Sequence, residues 1–163
     1  MTLVEVNACD RARFVEEVGW VFEHSPWVAE RAWMKKPFMS LDDLHRAMTA
    51  EVHAANPEEQ LSLLRAHPDL GATAALSAAS AAEQAGAGLD HLTPEEFGRL
   101  HHLNAAYRDK FGFPFLYAVK GSTKHDILKA LEARLPASRE HEMAEALTQV
   151  ARIARFRLEE FIS

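Results

Sequence analysis

The sequence lacks several features that would assign it to a specialised class of protein. It has one cysteine, Cys9, so no disulfide can form within the chain, and a reducing compartment is expected. The net charge of −6 argues against nucleic acid or an anionic membrane as a partner. No apolar stretch is as long as a transmembrane helix, and the residues after Met1 lack the basic start and apolar core of a signal peptide. We therefore expect a cytoplasmic protein.

The short motifs of common metal, nucleotide and hydrolase sites are also missing. No pair of histidines has the spacing of a helical zinc site, because adjacent His101 and His102 would point to different faces of a helix. There is no G-x-S-x-G sequence around a nucleophilic serine. The segment 120–124 (KGSTK) lacks the upstream glycine of a phosphate-binding loop. The sequence therefore predicts no metal and no cofactor.

Helix signals dominate a chain that is 48% hydrophobic and long enough to bury one core. Asn56 and Thr93 each precede a Pro-Glu-Glu triplet, which is the pattern of a capping box with proline at the first helical position. Further capping residues are Ser40, Ser122 or Thr123, and Ser138. These signals predict an all-α fold, a single-domain helical bundle of about seven to eight helices over residues 1–163.

Two connections between the predicted helices carry more specific predictions. Asp69 is expected to cap an alanine-rich helix from about Gly71 to Gly86. Gly112 is expected to end the helix that begins after Thr93. Residues 113–119 form the one strand-like run, but Pro114 argues against a regular central strand.

The alanine-rich segment 72–87 contains one acidic residue, Glu83, and no basic residue. On a helix, Ser80, Glu83 and Gln84 share a face, because residues three and four apart are neighbours. A carboxylate without a local cation is a candidate for chemistry. The alternative is a solvated face on which a glutamate and a glutamine are simply exposed.

Arg157 interrupts an apolar stripe on the last predicted helix. At 3.6 residues per turn, the stripe consists of Met143, Leu147, Val150, Ala154, Leu158 and Phe161. One interpretation is an arginine that buries its aliphatic stem and extends its charge to the edge of the stripe. The other is a guanidinium that reaches an anion through its forked donors.

His67 lies between two predicted helices, and Pro68 keeps it out of helical geometry. A side chain at such a junction reaches a cleft more easily than one in mid-helix. Histidine is the usual proton-transfer group near neutral pH. The alternative, which is the more frequent case for a single histidine, is a structural role.

These residues fall within a set of motifs that resembles one known family. The segment 104–121 (NAAYRDKFGFPFLYAVKG), the segment 67–70 (HPDL) and the spacing Ser80-x-x-Glu83-Gln84 resemble the OHCU decarboxylase family. The segments 23–27 (EHSPW) and 37–38 (PF) and the pair Arg157-Leu158 are also similar, so that the resemblance covers nearly the whole chain. OHCU is 2-oxo-4-hydroxy-4-carboxy-5-ureidoimidazoline, an intermediate of urate degradation.

The resemblance implies an all-α homodimer that converts OHCU to (S)-allantoin and carbon dioxide without a cofactor or metal. It implies that His67 and Glu83 are catalytic and that Arg157 binds the substrate. Ser80 and Gln84 are expected to hydrogen-bond the substrate ring or its ureido group. The remaining expected substrate-binding positions are Pro68, Phe113, Phe115, Leu116 and Ala118, where free backbone groups can read polar edges because Pro114 breaks regular pairing.

One local departure from the family pattern follows the HPDL segment. This chain has Gly71-Ala72-Thr73 where many relatives carry alanine followed by glycine and a basic residue, which could shift the start of the alanine-rich helix. Two other functions remain open from the residues. One is a non-enzymatic helical module that binds a partner through an apolar groove. The other is an enzyme of the same fold with a related ureido or imidazoline substrate.

Overall fold

The computed structural model describes residues 1–72 and 76–163. Within these ranges the secondary structure consists of helices and turns without any strand, so the all-α prediction is confirmed. The chain divides into two compact units. The first unit contains residues 1–66 and 151–163, and the second contains residues 67–150. The expectation of a single domain over residues 1–163 stays a prediction.

The first unit is built from short helices around an apolar core. Helix α3 packs against both α2 and α4. The largest fully buried side chains of this core are Phe14, Phe22, Leu44, Met48, Leu63 and Leu64. The helices are α1 (Leu3–Ala8), α2 (Arg11–Val18), α3 (Trp27–Ala32), α4 (Leu41–Ala54), α5 (Pro57–Arg65) and the last part of α9 (Arg139–Phe161).

The second unit has an aromatic core at the centre of three helices and the first part of α9. Its helices are α6 (Ala78–Gly86), α7 (Pro94–Phe111) and α8 (Lys124–Arg134), and α7 packs against α8. Tyr107 contacts Phe111, Phe113 and Phe115 at ring-centroid distances of 4.4, 6.0 and 5.4 Å. These four rings are all buried.

The predicted helix ends follow from side chains that bond nearby backbone groups. Asn56, Thr93 and Thr123 each form a capping box with the residue three positions later. Ser40 accepts a hydrogen bond from the Asp43 amide, as a single cap does. Gly112 ends α7 at φ 81°, a left-handed conformation that glycine adopts without a steric penalty. The predicted starts of these helices and the predicted end of α7 at Gly112 are therefore confirmed.

The alanine-rich helix begins later than the sequence predicted. Ser77 caps it, and the helix starts at Ala78 rather than near Gly71. Gly71 has φ +81°, and the Asp69 carbonyl accepts a hydrogen bond from Ala72 in a turn instead of starting a helix. The predicted cap at Asp69 is therefore wrong. Residues 73–75 of the predicted helix lie outside the described residues.

Two of the nine helices in the described ranges, α1 and α3, are only six residues long. The sequence analysis did not predict them, because so short a helix shows too few turns for periodicity to be visible. Among the described residues, none of the helices is both long and apolar enough to cross a membrane.

Candidate functional site

Nine of the ten predicted site residues belong to the second unit, and Arg157 belongs to the first. His67 begins the second unit and is 5% exposed, so its imidazole lies in the protein interior. Pro68 after it is half-buried and lies outside any helix. A buried histidine in an irregular segment depends on groups from neighbouring elements to hold that segment in place.

Helix α7 supplies two of those groups. The side-chain amide of Asn104 donates to the Leu70 carbonyl at 2.9 Å, and this bond is buried. One turn later, Arg108 pairs with Asp69 at 2.7 Å on the surface. The buried bond is the stronger constraint, because exposed ion pairs contribute little to stability. The segment that follows His67 is therefore held against α7.

Helix α6 supplies a third group through Gln84. The Gln84 Oε1 atom accepts a hydrogen bond from the Gly71 amide at 2.9 Å. A Cβ atom at Gly71 would meet Leu100 Cδ2 at 2.6 Å, and the φ of +81° also favours glycine at this position. Gln84 is a predicted substrate-binding residue, and the structure gives it a second role in joining α6 to the segment after His67.

The polar face of α6 is buried rather than solvated. Ser80 and Gln84 are each 6% exposed, Glu83 is half-buried, and the exposed positions of the helix are alanines and a glycine. The alternative of an exposed glutamate and glutamine is therefore wrong for Gln84, and Glu83 is only partly exposed. A helix that turns its polar residues inward must satisfy them with protein groups or with a ligand.

The segment 113–118, which we call the phenylalanine segment, forms the other predicted part of the site. Phe113, Phe115, Leu116 and Ala118 are all buried, and no strand forms here. Within the described part of the chain, the backbone groups of this segment make no hydrogen bonds to other backbone groups. The prediction that Pro114 prevents regular pairing is confirmed.

Side chains bond two of those backbone groups. The Leu116 carbonyl accepts from Arg134 Nη1 at 2.6 Å. The Ala118 amide donates to Gln149 Oε1 at 2.9 Å, and this bond is buried. The single N–H of Ala118 is therefore engaged inside the protein, and a ligand would have to use other groups of the segment.

A buried carboxylate organises the residues behind the phenylalanine segment. Glu142 is fully buried, and its Oε1 accepts from Tyr107 Oη at 2.6 Å and from Arg134 Nε at 2.7 Å. Arg134 also lies over the Phe115 ring, 4.6 Å from its centroid. Burial, followed by the hydrogen bond to Glu142, raises the pKa of Tyr107 well above its usual value, so this hydroxyl stays protonated and donates.

Arg157 is buried in the first unit with a carboxylate beside it. It is 4% exposed, and its Nη2 donates to Glu23 Oε2 at 2.9 Å. Nη1 lies 3.3 Å from the Trp20 carbonyl. An arginine that extends its charge to the edge of the apolar stripe is therefore not observed. A buried guanidinium in an ion pair remains, with its donors in fixed directions.

Sequence reasoning missed several residues of this arrangement, and only one of them had left a signal. The buried positions of α7 are Leu100, Asn104, Tyr107 and Phe111, so Asn104 is an amide in an otherwise apolar stripe. That pattern alone could have identified it. Glu142 and Gln149 lie on α9 among many charged and polar residues, and nothing in their spacing separates them from exposed ones.

A metal ion would need several ligands grouped in space. Among residues 1–72 and 76–163, no three histidine, cysteine, aspartate or glutamate side chains are grouped in that way.

Comparisons with known proteins show the family to which the chain belongs. The family model for OHCU decarboxylase matches residues 7–159. A 2-oxo-4-hydroxy-4-carboxy-5-ureidoimidazoline decarboxylase of Halalkalicoccus jeotgali is 48% identical over 160 residues, covering 98% of this chain and 91% of the relative. One of Mus musculus is 36% identical over 166 residues, covering 99% and 93%. The crystal structure of (S)-allantoin synthase matches with a TM-score of 0.79 at 34% identity, covering 99% of this chain and 54% of that one.

Proposed function

This chain belongs to the OHCU decarboxylase family, and we propose that it catalyses the family reaction with His67 and Glu83 as its catalytic residues. The enzyme is a carboxy-lyase of urate degradation that converts OHCU to (S)-allantoin and carbon dioxide. The observation that supports the site most strongly is the buried polar face of α6. Gln84, on that face, accepts a hydrogen bond from the segment after His67, so helix α6 and that segment are joined directly.

The substrate can supply its own electron sink. One ring carbon carries a carboxylate and a hydroxyl, and the neighbouring ring carbon belongs to a C=N bond. When the bond to the carboxylate breaks, its electron pair forms a C=C bond, while the C=N pair moves to nitrogen, which takes a proton. The hydroxyl then loses its proton and becomes the ring carbonyl, and the neighbouring carbon takes a proton. No added electron carrier is needed for this sequence, so we propose that the reaction is cofactor-independent.

The protein must therefore orient an anion and move protons. We assign His67 and Glu83 to the proton steps, because His67 is buried, Glu83 is half-buried, and each can both accept and donate a proton. Delivery of the last proton to one face of the ring carbon would set the S configuration. Burial strengthens such electrostatic interactions, since little water competes for them.

The remaining predicted residues would bind and orient the substrate. Arg157 offers directional N–H donors to the carboxylate or the ring oxygens. Because Glu23 already balances its charge, we propose that Arg157 recognises the substrate through hydrogen-bond geometry more than through net charge. Ser80 and Gln84 would bind the ring or the ureido group, together with Pro68 and the phenylalanine segment. A homodimer in the cytoplasm is part of the same proposal.

Formation of (S)-allantoin, followed by circular dichroism, tests the activity. Urate oxidase and the hydrolase for its product generate the unstable substrate in place, with and without this protein. We expect a rapid signal of one sign that requires the protein. A slow racemic signal that is identical in both mixtures would contradict the decarboxylase assignment and favour a related ureido or imidazoline substrate.

The catalytic role of His67 is tested with a matched histidine variant. His67→Ala should lower turnover by about a hundredfold or more, the usual contribution of general acid–base catalysis. His102→Ala is the control, because this exposed histidine lies on α7. Both variants should retain the helical circular dichroism of the parent. Unchanged turnover in a folded His67→Ala protein would remove His67 from the mechanism.

A further inference from the structure

The phenylalanine segment is held in place by side chains rather than by backbone pairing. Arg134 bonds the Leu116 carbonyl, and Gln149 bonds the Ala118 amide. These two backbone groups lie two residues apart, so the second half of the segment is fixed at two points. Pro114 has no N–H to add a third point on the backbone.

The two side chains are themselves fixed. Arg134 Nε donates to the buried Glu142, so its guanidinium joins the carboxylate to the Leu116 carbonyl. Gln149 Nε2 donates to Glu145 Oε1 at 2.9 Å, one turn earlier on α9. That bond orients the glutamine amide, because its nitrogen faces Glu145 and its oxygen must then face Ala118.

We propose that Gln149 and Arg134 are positioning residues for substrate binding, and that they determine which backbone groups of the phenylalanine segment remain for the substrate. The inference rests on the proposed function, in which this segment reads the polar edges of the substrate. The Ala118 amide is excluded from that reading, because Gln149 uses its only hydrogen. Misplacement of the segment weakens binding in the ground state and the transition state alike, so KM rises while kcat changes little.

Two variants at the Gln149 site distinguish the effect of the Gln149 hydrogen bond from the effect of the space that its side chain fills. Gln149→Met keeps the length of the side chain but has no strong acceptor for the Ala118 amide. The double change Gln149→Glu with Glu145→Gln restores an acceptor and reverses the donor and acceptor of the neighbouring pair, without altering net charge. We expect KM to rise about tenfold in Gln149→Met, equivalent to about 1.4 kcal/mol, and to return close to the parent value in the double variant.

Amide hydrogen exchange gives a readout that does not depend on turnover. A peptide that covers residues 113–119 should exchange faster in Gln149→Met than in the parent, and at the parent rate in the double variant. A merely structural glutamine would instead lower the melting temperature and the amount of active enzyme, leaving KM unchanged. If Gln149→Met fails to fold, Arg134→Lys serves in its place, since a lysine cannot bond Glu142 and Leu116 through a planar fork.

The possible outcomes distinguish a failure of the positioning role from a failure of the proposed function. An active parent whose KM and exchange do not change in Gln149→Met, or in Arg134→Lys where that variant is needed, overturns the positioning role. Failure of the double variant to restore KM overturns it as well. A parent without decarboxylase activity contradicts the proposed function instead. In that case, exchange in the 113–119 peptide still tests whether Gln149 holds the segment.

Discussion

The buried pair of Glu23 and Arg157 gives the sharpest stability prediction for this protein. The side chains are 1% and 4% exposed, and the atoms joining them are 2.9 Å apart. Glu23→Gln keeps the shape of the side chain but removes its charge. Arginine cannot lose its proton in a protein, so its positive charge stays buried after the Glu23 carboxylate has been removed.

The cost follows from the burial of the pair. Breaking a buried ion pair by removing one partner typically destabilises a protein by about 3–5 kcal/mol. For a chain of this size, about 1 kcal/mol corresponds to a shift of roughly 2–4 °C in melting temperature. Glu23→Gln should therefore lower the melting temperature by roughly 6–20 °C. The underlying loss of about 3–5 kcal/mol is a large part of the free energy of unfolding of a typical protein.

The converse variant, Arg157→Gln, should behave differently with pH. It leaves the Glu23 carboxylate buried without the Arg157 guanidinium, but a carboxylate can take up a proton and become neutral. The folded variant then binds more protons than the unfolded chain, so its stability rises as the pH falls. Glu23→Gln should show no such recovery. Replacing both residues together, as Glu23→Leu with Arg157→Met, should cost less than either single charge removal, because neither charge of the pair remains buried.

Urea unfolding followed by helical circular dichroism, at neutral pH and at about pH 5, measures all four proteins. The reasoning would be refuted by a Glu23→Gln protein that loses less than about 1 kcal/mol, since the range for a broken buried pair begins well above that. It would also be refuted if the double variant were less stable than either single variant, since removing both charges together should cost less.

Two further predictions concern the second unit. Gly71→Ala should destabilise the protein by about 1–3 kcal/mol in urea unfolding, because the new Cβ would meet the buried Leu100 at 2.6 Å. Gly88→Ala is its control, since Gly88 has nearly the same φ but no atom within 4 Å, and an equal loss in both variants would rule out the contact as the cause. The hydrogen bond from the Lys124 ammonium holds the pKa of Glu96 at about 2, below its ordinary 4.5. The charged carboxylate therefore stabilises the fold fully above about pH 4.5, and this stabilisation is lost as the pH falls towards 2. The stability difference between the parent and Glu96→Gln should therefore shrink at about pH 3, and a difference independent of pH would contradict this.

Much of the secondary structure could be predicted because helix ends depend on residues close together in the sequence. The caps at Ser40, Asn56, Thr93 and Thr123 each bond an amide three residues later, and the sequence shows both partners. The prediction failed at Asp69, where Gly71 adopts a left-handed conformation and Ser77 caps the helix instead. Several residues there could act as caps, and local preference did not choose between them.

The sequence could name candidate residues for the site, but it could not show which side chains hold them in place. The sequence made His67, Glu83 and Arg157 candidates through their unusual positions and through family motifs. It could not show that Gln84 bonds the Gly71 amide, because a glutamine on a helix face gives no indication of its partner. A glutamine on an exposed helix face would give the same sequence pattern.

The sequence by itself determined the helical fold and the chemical groups available for the reaction, since periodicity and capping act within a few residues. Only the tertiary structure decided which polar groups are buried together. Gln149 and Ala118 lie 31 residues apart, and Arg157 and Glu23 lie 134 residues apart. No local sequence pattern encodes such pairs, because each of the two polar groups would be equally stable in contact with water, without its partner. They form because burial removes the competing water, so that each polar group must find a partner inside the protein.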